Sequence, residues 1–224
     1  MGILLKAEGI TKIYKQGNGE NFYALNQVDV EIPAGSLTIL KGRSGSGKTT
    51  LLNILSALDD ATEGNVWFEG ENITQYSENK KEKLRRYEIG FVFQAVALIP
   101  MMTAYENVEY ALRLAEYEGD REERAKECLR KVGLGERMHH LPAQLSGGEQ
   151  QRVAIARAIC HKPKIVFADE PTAELDSDTA LRVVKIFKDL VEQESCAVVL
   201  TTHSPDLMEA DDVMYEMEDG ERIG

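Results

Sequence analysis

The chain has 224 residues, 43% of them apolar and 29% charged, so it can bury a sizeable core and is not expected to be disordered. Asp and Glu outnumber Lys and Arg by 38 to 26, and this net charge of -12 argues against nucleic acid as a partner, because Lys and Arg drive binding to phosphate backbones. No apolar run approaches the roughly 18 residues that cross a bilayer, and the three widely spaced cysteines indicate reduced thiols in a cytosol.

The first part of the chain predicts strands followed by a helix. Apolar and acidic residues alternate over residues 28–32, as in a half-exposed strand, and residues 33–35 predict the turn after it. Residues 37–40 predict a buried strand, and residues 66–68 and 89–93 predict two more. Between them, five apolar residues at helical spacing predict a helix: Leu51, Leu52, Ile54, Leu55 and Leu58.

The middle of the chain, roughly residues 95–160, predicts an inserted helical block. Thr103 and Glu106 have the spacing of a capping box, which marks a helix start. A second, charged helix is predicted over residues 121–131. The first of these helices has one apolar face, formed by Tyr105, Val108, Leu112 and Ala115.

Strands and helices alternate again after this block. Residues 165–168 predict a buried strand, residues 178–193 a helix, and residues 197–200 another buried strand. Such alternation predicts an α/β fold with a mainly parallel sheet. We expect residues 1–224 to form one domain that carries the helical block as an insertion.

A phosphate-binding loop is predicted over residues 42–49, which match G-x-x-x-x-G-K-[ST] in full. A buried strand precedes the loop and an amphipathic helix follows it, as the motif requires. Backbone N–H groups and the helix start would surround phosphate oxygens. Lys48 would neutralise the β and γ phosphates, and the Thr49 hydroxyl would bind Mg²⁺. The alternative, a glycine-rich turn that binds nothing, does not explain eight matching positions in this context.

An acidic pair, Asp169 and Glu170, directly follows the predicted strand 165–168. Ligands bind outside the carboxyl ends of buried parallel strands. Asp169 is therefore placed to hold Mg²⁺, directly or through water, and Glu170 to polarise a water molecule beside the γ phosphate. Alternatively, both residues only cap the exit of the strand into Pro171, but the neighbouring phosphate loop favours the catalytic interpretation.

A second anion site is predicted at residues 145–150. Ser146 and Glu149 have capping-box spacing, so the segment could simply start a helix. Gly147 and Gly148 in the first turn each cost about 1 kcal/mol of helix propensity, a cost that makes sense where backbone approaches a ligand closely. The two phosphate loops could close on one nucleotide within a chain or across two chains, and spacing does not decide between these arrangements.

With these motifs in order, the chain resembles the ATP-binding subunit of an ATP-binding cassette (ABC) transporter over essentially its whole length. The matches are the Walker A motif (42–49), the Q-loop glutamine (Gln94), the ABC signature (145–150), the Walker B motif (165–170), the D-loop (173–176), the switch histidine (His203) and the adenine-stacking aromatic residue (Tyr14).

The resemblance implies a P-loop NTPase fold, with a mainly parallel sheet, an antiparallel β subdomain and an inserted α-helical subdomain. It implies ATP and Mg²⁺ as ligands, and two ATPase subunits, expected to be identical, that pack head to tail so that the signature of one closes on ATP held by Lys48 of the other. Glu170 would be the hydrolytic base and His203 would contact the γ phosphate. Gln94 would bind Mg²⁺ or water and pass the nucleotide state to a membrane permease, which would hold the protein at the cytoplasmic face.

The residues that the resemblance and the motifs together assign to ATP binding are Tyr14, Gly42, Ser44, Gly45, Ser46, Gly47, Lys48, Thr49, Thr50, Ser146, Gly147, Gly148 and Glu149. Those assigned to the metal are Thr49, Gln94 and Asp169. Residues 95–102, apolar and next to Gln94, are interpreted as part of a groove for the permease.

Longer matches, such as residues 90–94 and 150–158, are similar to the branch that includes macrolide exporters, lipoprotein-release ATPases and FtsE-type proteins. One departure lies in the D-loop, where Ala173 and Glu174 stand in place of the usual Gly and Asn. Two other functions were weighed. A soluble cassette acting on DNA or ribosomes is opposed by the acidic charge, and a scaffold that binds ATP without hydrolysis is opposed by the presence of Glu170 and His203.

Overall fold

The computed structural model describes residues 2–15, 17, 19–173, 175–202 and 213–224. Two sheets and six helices make up this part of the chain. The strands are β1 (Ile3–Lys15), β2 (Asn21–Pro33), β3 (Leu37–Lys41), β4 (Glu63–Phe68), β5 (Glu71–Asn72), β6 (Ile89–Val92), β7 (Ile165–Ala168), β8 (Ala197–Thr202), β9 (Val213–Glu218) and β10 (Glu221–Arg222). The helices are α1 (Lys48–Leu55), α2 (Glu78–Tyr87), α3 (Ala104–Leu114), α4 (Arg121–Lys131), α5 (Gly147–Ile159) and α6 (Ser177–Glu194).

The larger sheet has the strand order β10-β9-β3-β8-β7-β6 and is parallel except for its edge strand β10. Both of its faces are buried, so β7 is apolar throughout and β3 and β8 are mostly apolar. In β7, Phe167 packs into one hydrophobic cluster and Val166 into the cluster on the opposite face. Burial of each large side chain of this kind stabilises the fold by about 1.5–3 kcal/mol. The predicted α/β fold with a mainly parallel sheet is confirmed.

The smaller sheet is antiparallel, with the order β2-β1-β4-β5. It packs, together with α1, on one face of the larger sheet through a shared cluster that contains Leu5, Val30 and Leu52. The sequence pattern does not predict the strand β1. Its pairing with β2 is interrupted by register shifts at several points. Because each shift changes which residues face the core, polar and apolar residues do not alternate steadily along β1.

The opposite face of the larger sheet is covered by α6 and by the helices α3, α4 and α5, which lie between β6 and β7 along the chain. The capping box at the start of α3 is present, with Glu106 N donating to Thr103 Oγ1 and Thr103 N donating to Glu106 Oε2. None of the helices in the described ranges combines the length and apolarity that a bilayer-spanning helix needs.

One prediction about α1 was wrong. Leu58 was expected on its apolar face, but the helix ends at Leu55 and the Leu58 side chain is exposed. Ala57 adopts a positive φ of 56°, which turns the chain away from the helix axis. The other four apolar residues of the predicted face, Leu51, Leu52, Ile54 and Leu55, are buried.

The segment that links β6 to α3 has no regular structure and is held by side chains of the helices. Asn107 is buried, and its side chain accepts from Ile99 N and donates to the carbonyl oxygens of Ile99 and Met102. Arg157 of α5 donates to Ala97 O at 2.7 Å. These bonds fasten the residues after Gln94 to the helical block.

Candidate functional site

The site lies where the carboxyl ends of four parallel strands meet. β3, β8, β7 and β6 are neighbours in this order and run in the same direction. β3 leads into the phosphate loop, β7 into the acidic pair and β6 towards Gln94, while β8 ends at Thr202. The topology therefore brings together motifs that are more than a hundred residues apart in the sequence, at the edge of the sheet where α/β proteins bind ligands.

The phosphate loop has glycine at two points where no other residue fits. A Cβ atom at Gly42 would lie 2.3 Å from Met217 O, and one at Gly47 would lie 2.6 Å from Ala24 O. Gly47 also has φ of 97° and is the N-cap of α1. The loop therefore wraps closely between its neighbours, and the positive end of α1 faces the space it encloses.

Lys48 is 4% exposed and is held at the base of this loop. Its Nζ atom donates to Gly42 O at 2.8 Å and to Arg43 O at 2.9 Å, and it lies 3.9 Å from Glu170 Oε1. Two of its contacts are neutral carbonyl groups. A buried cation of this kind can exchange carbonyl partners for the oxygen atoms of an anionic ligand.

The acidic pair is linked to the loop by two hydroxyl groups. Thr49 Oγ1 donates to Asp169 Oδ1 at 3.1 Å, and Thr201 Oγ1 donates to the same oxygen at 2.8 Å. Thr201 Oγ1 also accepts from Glu170 N at 2.7 Å. Glu170 has a positive φ of 44°, an uncommon backbone conformation that often occurs at functional sites. Thr201 thus fixes both acidic residues, a role that the sequence analysis had not assigned to it.

A cavity of about 330 Å³ opens beside these groups. The residues that line it are Tyr14, Phe22, Ala24, Ser44, Gly45, Gly47, Lys48, Thr49, Thr50, Gln94 and Glu170. Most of the residues predicted to bind ATP are therefore brought together. Three predicted residues lie behind the lining: Gly42 and Ser46 support the loop, and Asp169 is 6% exposed behind Thr49. Phe22 and Ala24 were not predicted.

Tyr14 lies at the rim of the cavity with its ring half exposed. Its hydroxyl donates to Asp59 Oδ2 at 3.2 Å, and the Lys12 ammonium lies 5.2 Å from the ring centre. Partial burial and the Asp59 carboxylate raise the pKa of Tyr14, so its phenol stays neutral at physiological pH. Phe22 is paired with Tyr14 across β1 and β2 and exposes 48% of its surface. The two rings offer an apolar surface to a planar ligand.

None of the signature-segment residues from Ser146 to Glu149 lines this cavity, although Gly147 lines a smaller one beside it, together with Gln94 and Glu170. The capping box is present: Glu149 N donates to Ser146 Oγ, and Ser146 N donates to Glu149 Oε2. Ser146 and Gly147 are exposed. The segment thus presents a helix start with an accessible hydroxyl and open backbone to the outside of the chain.

The two signature glycines differ in their surroundings. A Cβ atom at Gly147 would meet nothing within 4 Å, which agrees with the interpretation that its backbone is left open for a ligand. A Cβ atom at Gly148 would lie 2.6 Å from Thr179 Cγ2 in the same chain. Gly148 therefore also packs closely against α6, which the sequence did not predict, and ligand approach at both glycines stays a prediction.

Two predicted positions, His203 and the D-loop residue Glu174, lie outside the described residues. The other D-loop residues lie at the start of α6. Asp176 is the N-cap, its Oδ1 atom accepting from Thr179 N at 3.0 Å, and Leu175 packs against the core.

The side chains around the cavity fit a nucleotide bound with Mg²⁺. Thr49, Asp169 and Gln94 supply hydroxyl, carboxylate and amide oxygens, which are the ligands that Mg²⁺ prefers. The phosphate loop, Lys48 and the aromatic rim match the phosphates and the base of a nucleotide, and the volume lies within the range of small-molecule sites.

Known proteins are similar to this chain in sequence and in fold. The ABC transporter family matches residues 25–173. A solved dimer of MJ0796, an ATP-binding cassette of Methanocaldococcus jannaschii bound to ADP and Pi, superposes with a TM-score of 0.91 at 41% identity and covers 98% of this chain and 97% of its own. The lipoprotein-releasing ATP-binding protein LolD of Shewanella oneidensis is 40% identical over 221 residues, which cover 97% of this chain and 95% of LolD.

The macrolide export ATP-binding/permease protein MacB of Syntrophobacter fumaroxidans is 40% identical over 220 residues, which cover 97% of this chain and 31% of MacB. LolD and MacB both fall within the branch that the sequence resembles. These matches show that the chain belongs to the ABC transporter family, as one of its ATP-binding ATPases.

Proposed function

We propose that two copies of this chain close head to tail on ATP and that hydrolysis reopens them, so that the cycle drives a separate membrane permease. The observation that carries this proposal is the separation of the two phosphate-binding segments. The larger cavity is lined by the loop of Lys48, whereas Ser146 and Gly147 are exposed outside its lining. The neighbouring cavity that Gly147 does line has a volume of only about 60 Å³, which is too small for a nucleotide. A second copy would supply the missing clamp. In this proposal residues 1–224 are a single ATPase domain, and residues 95–160 are its inserted helical subdomain.

Within this site, Lys48 would exchange its carbonyl partners for β and γ phosphate oxygens. Glu170 would accept a proton from the water that attacks the γ phosphorus, while the bond between that phosphorus and the ADP oxygen breaks. Thr201 supports this role, because its hydroxyl holds the Glu170 amide at 2.7 Å. His203 would contact the γ phosphate from the end of β8.

Thr49, Asp169 and Gln94 would hold Mg²⁺, which neutralises phosphate charge when bound. Tyr14 would stack on the adenine, with the Phe22 ring beside it. The bond between the Tyr14 hydroxyl and Asp59 fixes the orientation of the stacking ring. Ser146, Gly147, Gly148 and Glu149 would act on the nucleotide of the other subunit, through the hydroxyl, the open backbone and the capping bond of the helix start.

A permease partner is supported by an exposed apolar surface next to Gln94. Phe93 exposes 43% of its surface and Met101 86%. Arg157 and Asn107 hold the backbone between them, so the surface is fixed to the helical block. Exposed apolar side chains of this kind indicate an interaction site.

The names of the relatives support transport as the output of the cycle. LolD belongs to a lipoprotein-releasing system and MacB to macrolide export. We infer that this chain serves export, or transmits movement across the membrane, for a lipoprotein, peptide or drug-like cargo. Its place would be the cytoplasmic face of the membrane, where the permease holds it.

Mixing two complementary variants tests the head-to-tail arrangement. Lys48→Ala and Ser146→Arg are each combined with Glu170→Gln, which is expected to stop hydrolysis, and one of the two chains carries a fluorescent label. Neither variant alone can build an intact composite site, but a mixed pair contains one. We expect ATP-dependent association in the mixture and not in either double variant alone. The chain that carries only Glu170→Gln is the positive control, which should also associate. If the control dimerises but the mixture does not associate, the head-to-tail arrangement is wrong.

A further inference from the structure

Gln151, in the second turn of α5, has a buried side-chain amide nitrogen that makes no hydrogen bond to the described part of the chain. The residue is 4% exposed, and its Nε2 atom has no hydrogen-bond partner among the described residues. A buried amide N–H group is costly to leave unpaired, and such groups in native proteins indicate an internal water, an ion or a functional constraint. The next turn of α5 is anchored in the core, because Val153, Ala154 and Ile155 are fully buried, and this fixes the backbone position of Gln151.

Neighbouring polar side chains of the same helix are satisfied within the chain. Gln150 Nε2 donates to Pro142 O at 3.0 Å and Leu145 O at 3.2 Å, and Arg152 Nη1 donates to Val132 O at 3.0 Å. Gln151 lies between these two residues, but its side-chain nitrogen makes no such bond within the described residues. Its burial is therefore not explained by a structural bond of the kind that its neighbours make.

Gln151 lines a second cavity, of about 60 Å³, together with Gln94, Gly147 and Glu170. This space is too small for a nucleotide. An internal water needs about 10–15 Å³ and two to four polar partners, so the cavity can hold water between the Gln151 amide, the Gln94 side chain and the Glu170 carboxylate.

Gln94 and Glu170 line both this cavity and the larger one. They stand between the nucleotide site on one side and Gln151 on the other. Gln151 follows Ser146 by five positions, and the capping box fixes Ser146 to the same helix. A displacement of the signature segment therefore moves the Gln151 amide relative to Gln94 and Glu170.

We propose that Gln151 is a positioning residue for Gln94 and Glu170, which it reaches through water in the 60 Å³ cavity, and that it couples the two ATP sites of the dimer. The inference rests on the proposed function, in which Ser146 closes on the nucleotide of the partner while Glu170 acts on the nucleotide of its own chain. Closure at one site would then set the geometry of hydrolysis at the other.

The test replaces Gln151 with Met, which has a similar shape and no amide, and with Leu as a second variant. Gln144→Met is the matched control, because it removes an amide that lies outside the signature segment and whose Oε1 atom accepts from Leu141 N within the chain. ATPase rates are measured against ATP concentration, and melting temperatures report folding. ATP-dependent dimerisation of each variant in the Glu170→Gln background reports whether the proposed function itself holds.

For Gln151→Met and Gln151→Leu we expect an unchanged or higher melting temperature and normal ATP-dependent dimerisation. The value of kcat should fall about five- to tenfold, KM for ATP should stay within twofold, and the Hill coefficient should fall towards 1. Gln144→Met should keep both kcat and the Hill coefficient at the wild-type values. A wild-type kcat and Hill coefficient in both Gln151 variants would overturn the inference, as would a wild-type enzyme without cooperativity. Failure of the unsubstituted Glu170→Gln chain to dimerise would instead refute the proposed function.

Discussion

Gly148 and Thr179 approach so closely that a Cβ atom at position 148 would lie 2.6 Å from Thr179 Cγ2. The contact joins the first turn of α5 to the first turn of α6, which begins directly after the D-loop. Gly147, one residue earlier, faces open space. Gly148 therefore packs within the chain, whereas the Gly147 backbone is left open, as the proposed clamp requires.

Replacement of Gly148 by Ala should destabilise the protein by about 1–3 kcal/mol through overpacking. Thr179→Ser removes Cγ2 and keeps the hydroxyl that donates to Asp176 Oδ2, so the double variant should recover most of the lost stability. Urea unfolding of the single and double variants measures the effect. If Thr179→Ser fails to restore the midpoint, the contact does not explain the glycine.

Gly147→Ala is the control for Gly148→Ala and its double variant with Thr179→Ser. With no atom within 4 Å of the new Cβ, the free energy of unfolding should be unchanged or higher by up to about 1 kcal/mol, since Ala favours a helix more than Gly. ATP-dependent dimerisation should nevertheless weaken, because the methyl group would stand in the proposed clamp. Normal dimerisation of Gly147→Ala would show that this backbone is not approached by a ligand.

Lys48→Ala should bind ATP at least about tenfold more weakly, because charge-assisted hydrogen bonds contribute about 1.5–3 kcal/mol each. Titration calorimetry measures the dissociation constant. Lys41→Ala removes a nearby lysine that pairs with Glu216 on the surface, and it should leave the affinity unchanged. Equal affinities of the wild type and Lys48→Ala would refute the assignment of the phosphate loop.

The three thiols should react slowly with an aromatic disulfide reagent at pH 8. Burial raises the pKa of Cys128 to about 11 and that of Cys196 to about 12, and it also raises the pKa of Cys160. The reactive thiolate is therefore scarce, and all three sulfur atoms are buried. The native protein should release the reporter thiol at the rate of global or local opening, whereas the urea-unfolded chain should react at once with three equivalents. Rapid reaction of the native protein would contradict the burial.

His161 should make the protein less stable as the pH falls. Burial lowers the pKa of its imidazole below the ordinary value of 6.5, and the Arg124 charge lowers it further. Below pH 6.5 the unfolded chain therefore takes up a proton before the folded chain does, so the stabilising contribution present above 6.5 is lost progressively as the pH falls. His161→Gln should show a smaller loss of unfolding free energy between pH 7 and pH 5, measured in urea. Identical slopes for both proteins would contradict this.

The parts of the site that depend on local sequence could be predicted. The phosphate loop is a continuous segment with its own geometry, and the capping boxes at Thr103 and Ser146 need only residues three positions apart. The apolar strand before Asp169 identified the edge of the sheet. These signals are local, so a single sequence carries them.

The missed features depend on contacts between distant segments. Thr201 meets Asp169 and Glu170 only because β8 and β7 are neighbours. Gln151 resembles an ordinary polar residue in a capped helix until packing buries its amide. Phe22 reaches the cavity through its pairing with Tyr14 in a bulged sheet whose register the sequence did not predict.

The central claim is that ATP joins two copies of this chain, and the molar mass of Glu170→Gln measured by light scattering tests it most directly. Gln keeps the size of the side chain and removes the proposed base. With Mg²⁺ and ATP the mass should rise from 25.0 kDa to twice that value, and it should stay at the single-chain value without nucleotide. A Glu170→Gln chain that binds ATP and remains at 25.0 kDa would contradict the account.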